Sequence, residues 1–271
     1  MTAKEHLSGS EQRDISQQVV LLAGPGDTTD IVANWLDKHI SHVTVVTEEA
    51  QSRVRLARRR IKRIGWVRTL GQVIFVAMAM PVLRVRGQLR RKQILSESSL
   101  NVTARPPDVR VDSVNSPETI ELLARLEPRV VVVNGTRIIS SRVLDSISCP
   151  VINTHAGLTP RYRGVHGGYW ALAEGHPEEV GTTVHLVDNG IDTGRVLARA
   201  RFDTSPTDSI VTYPYLHLAA GLPLMVDSVR TVLNRQQLSP IDDNSPSVHS
   251  RLFSHPTLWG YLRLWATRGV R

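Results

Sequence analysis

Three side chains stand at spacings that suit proton-transfer chemistry. Asn153 and His155 flank one threonine in Val151-Ile152-Asn153-Thr154-His155, and Asp192 sits in the glycine-punctuated stretch Val187-Asp188-Asn189-Gly190-Ile191-Asp192-Thr193-Gly194. Alternate residues of an extended backbone share a face, so the Asn153 amide and the His155 imidazole can converge on one reacting atom. A carboxylate beside that imidazole would orient the ring and favour its charged form. An amide and a protonated imidazole together stabilise charge that grows on an oxygen, and an imidazole with a carboxylate moves protons. Alone, each residue has a plainer explanation, because Asn after a strand and Asp before Thr-Gly are ordinary turn residues. The constellation points to catalysis. A different chemistry, a metal-dependent hydrolase, would draw on His155, His166, His176, His185 and Asp188. These lack a recognised ligand spacing such as His-x-x-x-His with a distal acid, so no metal is expected.

The elements that must position these residues read as a doubly wound, mostly parallel α/β sheet of Rossmann-like type. Gln18 to Ala23 is an apolar run that ends in Gly24-Pro25-Gly26-Asp27-Thr28-Thr29 and leads into a helical pattern through Ile31, Val32, Trp35 and Leu36. His42 to Val46 and Arg129 to Val133 read as further strands, the latter preceded by a helix around Pro117 to Leu126. Continuous valine-rich runs are strands buried on both faces, and their alternation with helices implies parallel pairing. The strand from Val151 runs out at Asn153 and His155, at the carboxyl end where open α/β sheets bind ligands. Gly181 to Asp188 and Arg195 to Phe202 are two more strands. Pro206 to Leu233 reads as a helix interrupted near Pro214 and Pro223, and Ser239 to Ser250 as a linker. The expected organisation is a disordered start over 1–17, a catalytic domain over 18–237 with a basic helical insertion at about 50–96, and a linker with a short C-terminal helix over 238–271.

The net charge of +8 belongs to that insertion. Thirteen Lys or Arg and no Asp or Glu lie between Ala50 and Ser96, and the rest of the chain carries five more acidic than basic residues. An Arg-rich stretch from Arg53 to Arg68 precedes the apolar Val73 to Met80, and more cations follow from Arg84 to Lys92. No run of 18 or more apolar residues suggests a span, but this arrangement suits peripheral contact with an anionic membrane through residues 53–92. The competing reading is a helical hairpin packed on its own domain or on a second copy, which leaves a homo-oligomer open. The segment Leu258 to Trp265 has the same aromatic and basic flavour. Nucleic acid is not expected, since aromatics are not interleaved with the arginines. The polar first residues fit no secretory signal, and the single Cys149 beside Pro150 reads as a buried, inert thiol; both fit the cytoplasm.

With Leu158, Pro160, Tyr162 and Gly164 after Asn-x-His, then Gly181-Thr182-Thr183-Val184-His185 and Ile191-Asp192-Thr193-Gly194, the chain resembles the folate-dependent formyltransferases. That family is typified by glycinamide ribonucleotide transformylase and the catalytic domain of methionyl-tRNA formyltransferase. The likeness runs from about Val130 to Leu233, with weaker agreement over Val19 to Leu36. It implies a formyl group taken from 10-formyltetrahydrofolate by a small-molecule primary amine, without a metal, with Asn153, His155 and Asp192 as the catalytic trio. It implies a folate pocket at Arg137, Ile138 and Ile139, where backbone groups of Arg137 and Ile139 would pair with the ring edge. Val187, Asp188, Asn189 and Gly190 would close the other side, and His185 would support the site from its strand. It also implies acceptor contacts at Gly26, Asp27, Thr28 and His166. Asp27 replaces a small hydroxyl residue in the turn that would hold a phosphate, and would repel one. The implied acceptor is a small phosphorylated amine, closest by motif to glycinamide ribonucleotide of purine biosynthesis, with a nucleotide-linked amino sugar as the alternative. Transfer-RNA formylation would need a further basic domain, for which the stretch past Gln237 is too short. A non-catalytic membrane-associated module is the reading from another class.

Overall fold

The structure, a computed structural model, describes residues 19–41, 43–241 and 249–271. The expected disordered start over 1–17 and most of the expected linker, residues 242–248, lie outside the described residues. A seven-stranded sheet is built from β1 (Val19–Ala23), β2 (Val43–Glu48), β3 (Val109–Val111), β4 (Val130–Asn134), β5 (Val151–His155), β7 (Gly181–Leu186) and β8 (Val196–Arg201), in the order β3-β2-β1-β4-β5-β7-β8. The first five are mutually parallel; β7 alone is reversed, pairing antiparallel with β5 and with β8, and it sets His185 opposite Asn153. A separate two-stranded ladder joins β6 (Tyr162–Gly164) to β9 (Arg251–Phe253).

Alternation along the central strands splits the core into two layers. Val20 and Leu22 of β1 with Val131 and Val133 of β4 pack against Leu122 and Leu123 of α6 (Pro117–Leu126) and Val143 of α7 (Ser141–Leu144). Val19, Leu21, Val130 and Val132 face the other way, onto α1 (Asp27–His39) and α9 (Tyr213–Leu233). Burying each such side chain contributes about 1.5–3 kcal/mol relative to leaving it in water, so register is firmly set where the site is built. The helix expected from Pro206 begins only at Tyr213. Pro214 falls in its first turn, where a missing amide hydrogen costs nothing, and Pro223 is carried inside the helix.

Between β2 and β3 the insertion folds as α2 (Arg53–Ile64), α3 (Trp66–Ile74), α4 (Met80–Arg86) and α5 (Gln88–Glu97). A π-type turn over Phe75–Ala79 joins α3 to α4, so Trp66–Arg86 is one helical run of 21 residues, with a mean hydropathy of 1.5 over its most apolar 18. By length and composition this run and α9 could each cross a membrane, which the eight-residue apolar stretch alone did not suggest; α9 is the core helix of the sheet. The insertion is fastened to the body. Arg90 makes a two-pronged ion pair with the fully buried Asp208 carboxylate at 2.8 and 3.2 Å, and Phe75 is buried beside Tyr261 of α10 (Leu258–Arg268). The C-terminal part is likewise integral: β9 pairs with β6, next to α8 (Gly167–Glu174), and α10 packs on α3. Cys149 is half-buried and burial pushes its thiol up to about 11, so it is inert at neutral pH.

Candidate active site

The carboxyl ends of β4 and β5 and the loop after β7 bring the trio together. β5 delivers Asn153 and His155 two residues apart on one face, and the loop turns Asp192 back toward them with a left-handed backbone at φ 52°. Asp192 Oδ1 lies 3.4 Å from His155 Nδ1, and its Oδ2 accepts the Gly164 N–H at 2.8 Å. Only glycine fits at 164, with φ 93° and a Cβ that would come within 2.2 Å of the Phe253 carbonyl oxygen. His155 Nε2 donates to the Tyr162 carbonyl at 2.7 Å.

His185, across the ladder from Asn153, is the fourth member. Its Nδ1 hydrogen-bonds the Leu186 carbonyl at 2.8 Å, which leaves Nε2 to accept from Asn153 Nδ2 at 3.1 Å; the same Nε2 is 3.7 Å from Asp192 Oδ1. The amide plane of Asn153 is thereby fixed, and its second hydrogen is left for a ligand. His155 is 5% exposed, and burial lowers its pKa despite the opposing pull of Asp192 and the Tyr162 carbonyl. The resting imidazole is therefore neutral, where a protonated His155 was expected. For Asp192 burial acts upward, but His185, His155 and the Gly164 amide outweigh it and hold the carboxyl below its ordinary value.

These four side chains line a cleft of about 460 Å³. Gly135 to Ile139 form one wall, and Val187, Asp188, Gly190 and Ile191 another; the Ile138 side chain is 61% exposed there. Arg137 is oriented away. Its guanidinium reaches the buried Glu48 carboxylate at 2.6 Å and the Glu49 and Asp112 carbonyls, and its backbone N–H donates to Glu48 at 2.6 Å. Only its carbonyl is free to meet a ring edge, which narrows the expectation for that backbone. Asn189 does not line the cleft, and Asp188 closes a local turn through Gly190 N and Thr193 Oγ1.

The expected acceptor residues are not on these walls. Asp27, at the start of α1, accepts from Arg91 of the insertion at 2.9 Å and from the Tyr215 hydroxyl, and Gly26 and Thr28 flank it outside the cleft. Its charge is neutralised by a partner that the isolated motif could not reveal. His166 pairs with His255 at 2.9 Å behind the wall, and burial holds the two rings down at about 3 and about 4. In place of these residues the cleft has Arg60, Arg63 and Gln72 from the insertion and Ser254 and His255 from the C-terminal segment. The i, i+3 spacing of Arg60 and Arg63 was a usable sign of one helix face; nothing local tied it to the trio. Of the residues a metal hydrolase would use, His155, His185 and Asp188 line the cleft, while His166 pairs with His255 and His176 faces Arg161 and Glu178. Among the described residues no group of three or more His, Cys, Asp or Glu side chains could hold a metal ion.

The chain's sequence is similar to methionyl-tRNA formyltransferases, with 28% identity over 139 residues to that of Chlorobium chlorochromatii, or 51% of this chain and 44% of the relative. That of Desulfotalea psychrophila is 37% identical over 122 residues, 45% and 36% respectively. The matched stretch thus spans less than half the length of these relatives. Glycinamide ribonucleotide transformylase 1 from Symbiobacterium toebii shares the fold at a TM-score of 0.52 and 15% identity, over 84% of this chain and 93% of that one. A 4-N formyltransferase from Francisella tularensis does so at 0.52 and 13%, over 85% and 74%. The sequence pattern of the formyl transferase family matches residues 17–220, a span that holds β1 to β8 and all four clustered side chains, and this chain belongs to that family.

Proposed function

We propose that the chain transfers a formyl group from 10-formyltetrahydrofolate to a primary amine, with Asn153, His155 and Asp192 as catalytic residues. The observation that carries this reading is the cluster of Asn153, His155, His185 and Asp192 in one cleft, at the end of β5 and inside the family's matched span. The cleft is of a size that holds a small molecule. Ile138, Ile139 and Val187 give apolar walls for a flat ring, and the Arg137 carbonyl gives an acceptor at its edge. The donor supplies an electrophilic formyl carbon. As the amine adds to it, the free Asn153 hydrogen donates to the formyl oxygen, where charge accumulates; such donors contribute about 3–4 kcal/mol to the barrier. As the tetrahedral centre collapses, the bond from the formyl carbon to the folate nitrogen breaks, that nitrogen takes up a proton and tetrahydrofolate leaves. The proton that leaves the amine passes to the His155–Asp192 pair, which can return it to that nitrogen. A neutral His155 can take it on Nδ1, with its Nε2–H already held by Tyr162 and Asp192 stabilising the imidazolium.

The acceptor is a small phosphorylated amine whose charge meets Arg60 and Arg63 at the cleft. Glycinamide ribonucleotide and a nucleotide-linked amino sugar both meet that description. The Asp27–Arg91 pair argues against a phosphate at Gly26-Asp27-Thr28, and so weakens the first. An aminoacyl group on transfer RNA is the second reading, favoured by the sequence relatives. Incubating the chain with 10-formyltetrahydrofolate and these three acceptors separates them. Formylation of a phosphorylated small amine, with a KM raised at least tenfold in Arg60→Ala/Arg63→Ala, supports the reading. Formylation of the transfer RNA alone supports the second reading instead.

A further inference from the structure

The helical run Trp66–Arg86 packs Phe75, Ala79, Met80 and Leu83 inward and is apolar on its outward side as well. A surface helix ordinarily buries an apolar stripe and shows water its polar side. Here Thr69, Gly71 and Gln72 are turned inward with Phe75. Gln72 Nε2 donates to Ser254 Oγ at 3.0 Å and to the His255 carbonyl at 2.7 Å, and a Cβ on Gly71 would come within 2.2 Å of the Trp259 ring. Outward stand Leu70, Val73, Val76, Met78, Val82 and Val85, between 41% and 67% exposed. Trp66 at 68% and, on the adjoining α10, Trp259 at 50% and Trp265 at 47% extend that face. An apolar patch of this extent on a soluble body marks a contact surface.

Charge identifies the occupant. Neither residues 50–96 nor residues 249–271 contain an acidic side chain. Exposed cations flank the apolar face: Arg58, Arg59 and Lys62 on α2, Arg84 and Arg86 at the end of α4, and Arg263 on α10. Beside it opens a groove of about 570 Å³ lined by Arg63, Arg68, Arg251, Arg263 and Trp259, which adjoins the catalytic cleft through Arg63 and Gln72. Exposed apolar side chains along one helical run, exposed tryptophans on it and on α10, and exposed arginines on the same elements match an anionic bilayer surface. A second copy would set the same cationic rim against itself. A bilayer-spanning arrangement would strip Gln72 of its partners and Phe75 of its core. A polynucleotide offers phosphates, with nothing for the outward Val, Leu and Met side chains.

We propose that the outward face of Trp66–Arg86, together with α10, docks the chain in the plane of an anionic lipid surface, with the arginine groove among the headgroups. The inference is independent of the transfer chemistry, so either can fail without the other. The test is cosedimentation of the full chain with vesicles of phosphatidylglycerol and phosphatidylcholine, against phosphatidylcholine alone, for wild type and Met78→Glu/Val82→Glu. Expected are preferential sedimentation with the anionic vesicles, at least tenfold weaker binding in the variant at an unchanged melting temperature, weakening by salt, and release by alkaline carbonate. Should the double variant melt early, Val85→Glu, at the most exposed of the six positions, gives the same readout. The proposal is overturned by equal binding to both vesicle types, by undiminished binding of the variants, or by carbonate-resistant retention, which means a span. It is equally overturned by a lipid-free dimer that the variants dissociate, or by an RNA oligomer whose binding they abolish.

Discussion

At the scale of single residues, the Asn153 amide is held by His185 while His155 is held between Tyr162 and Asp192. Asn153→Ala removes the donor aimed at the formyl oxygen, and kcat should fall about 10²–10³-fold. His185→Phe keeps the donor and removes what orients it; a drop of about tenfold in kcat at nearly constant KM is expected, because a misaimed donor still contributes part of its effect. A melting curve beside each rate distinguishes lost chemistry from lost fold. The pH profile tests the proton assignment. Burial lowers the pKa of His155, and a neutral His155 is the proposed base, so activity persists below the ordinary imidazole value of about 6.5 and falls only as pH drops through the lowered one. Asp192, also held low, adds no limb above about pH 4. An acid limb centred at or above about 6.5 would contradict the neutral base. The trio was legible in sequence because Asn-x-His and the Asp192 loop are local patterns. The Asn153–His185 bond was not, because it depends on antiparallel register between β5 and β7.

At the scale of elements, the insertion is fixed by an ion pair that no local pattern announces. Asp208 would be pushed up by burial, but Arg90 and the Ser205 amide hold its carboxyl below the ordinary value. A depressed folded-state pKa means stability present above the unfolded carboxylate value of about 3.9 and lost as pH falls through the lower one. Arg90→Ala leaves a buried carboxylate unpaired and should cost about 3 kcal/mol near neutral pH, measured by denaturant unfolding. The wild-type advantage should shrink below about pH 4; an advantage unchanged there would mean that the pair does not fasten the insertion. The central strands β1 and β4 were legible as continuous, fully apolar runs followed by turn residues, and β5 as the short extended stretch that ends in Asn-x-His. The three-residue strands β3, β6 and β9 were not, since so short a segment has no periodicity and exists only through its partner. The same holds for residues 206–212, which pack as turns around Asp208 where helix was expected.

At the scale of the whole molecule, the parallel sheet and the family were readable from order and spacing, and the acceptor side was not. The cleft takes its cationic wall from the insertion and another part from the C-terminal segment, two stretches far apart in sequence that meet through packing of α3 on α10 and the Gln72 hydrogen bonds to Ser254 and His255. The glycine turn before α1, which motif reasoning assigned to the acceptor, is instead tied to Arg91 and Tyr215. In the proposed reading the transfer chemistry sits at the ends of β5 and β7, and the choice of amine at the cationic wall of Arg60 and Arg63. The central claim, that Asn153, His155 and Asp192 carry out formyl transfer, is tested most directly by single-turnover reaction of 10-formyltetrahydrofolate with a phosphorylated amine, in wild type and Asp192→Asn. Formylated amine should form with the wild type and at least 10²-fold more slowly with the variant, at an unchanged melting temperature. Equal rates, or no formyl transfer by the wild type to any amine supplied, would contradict it.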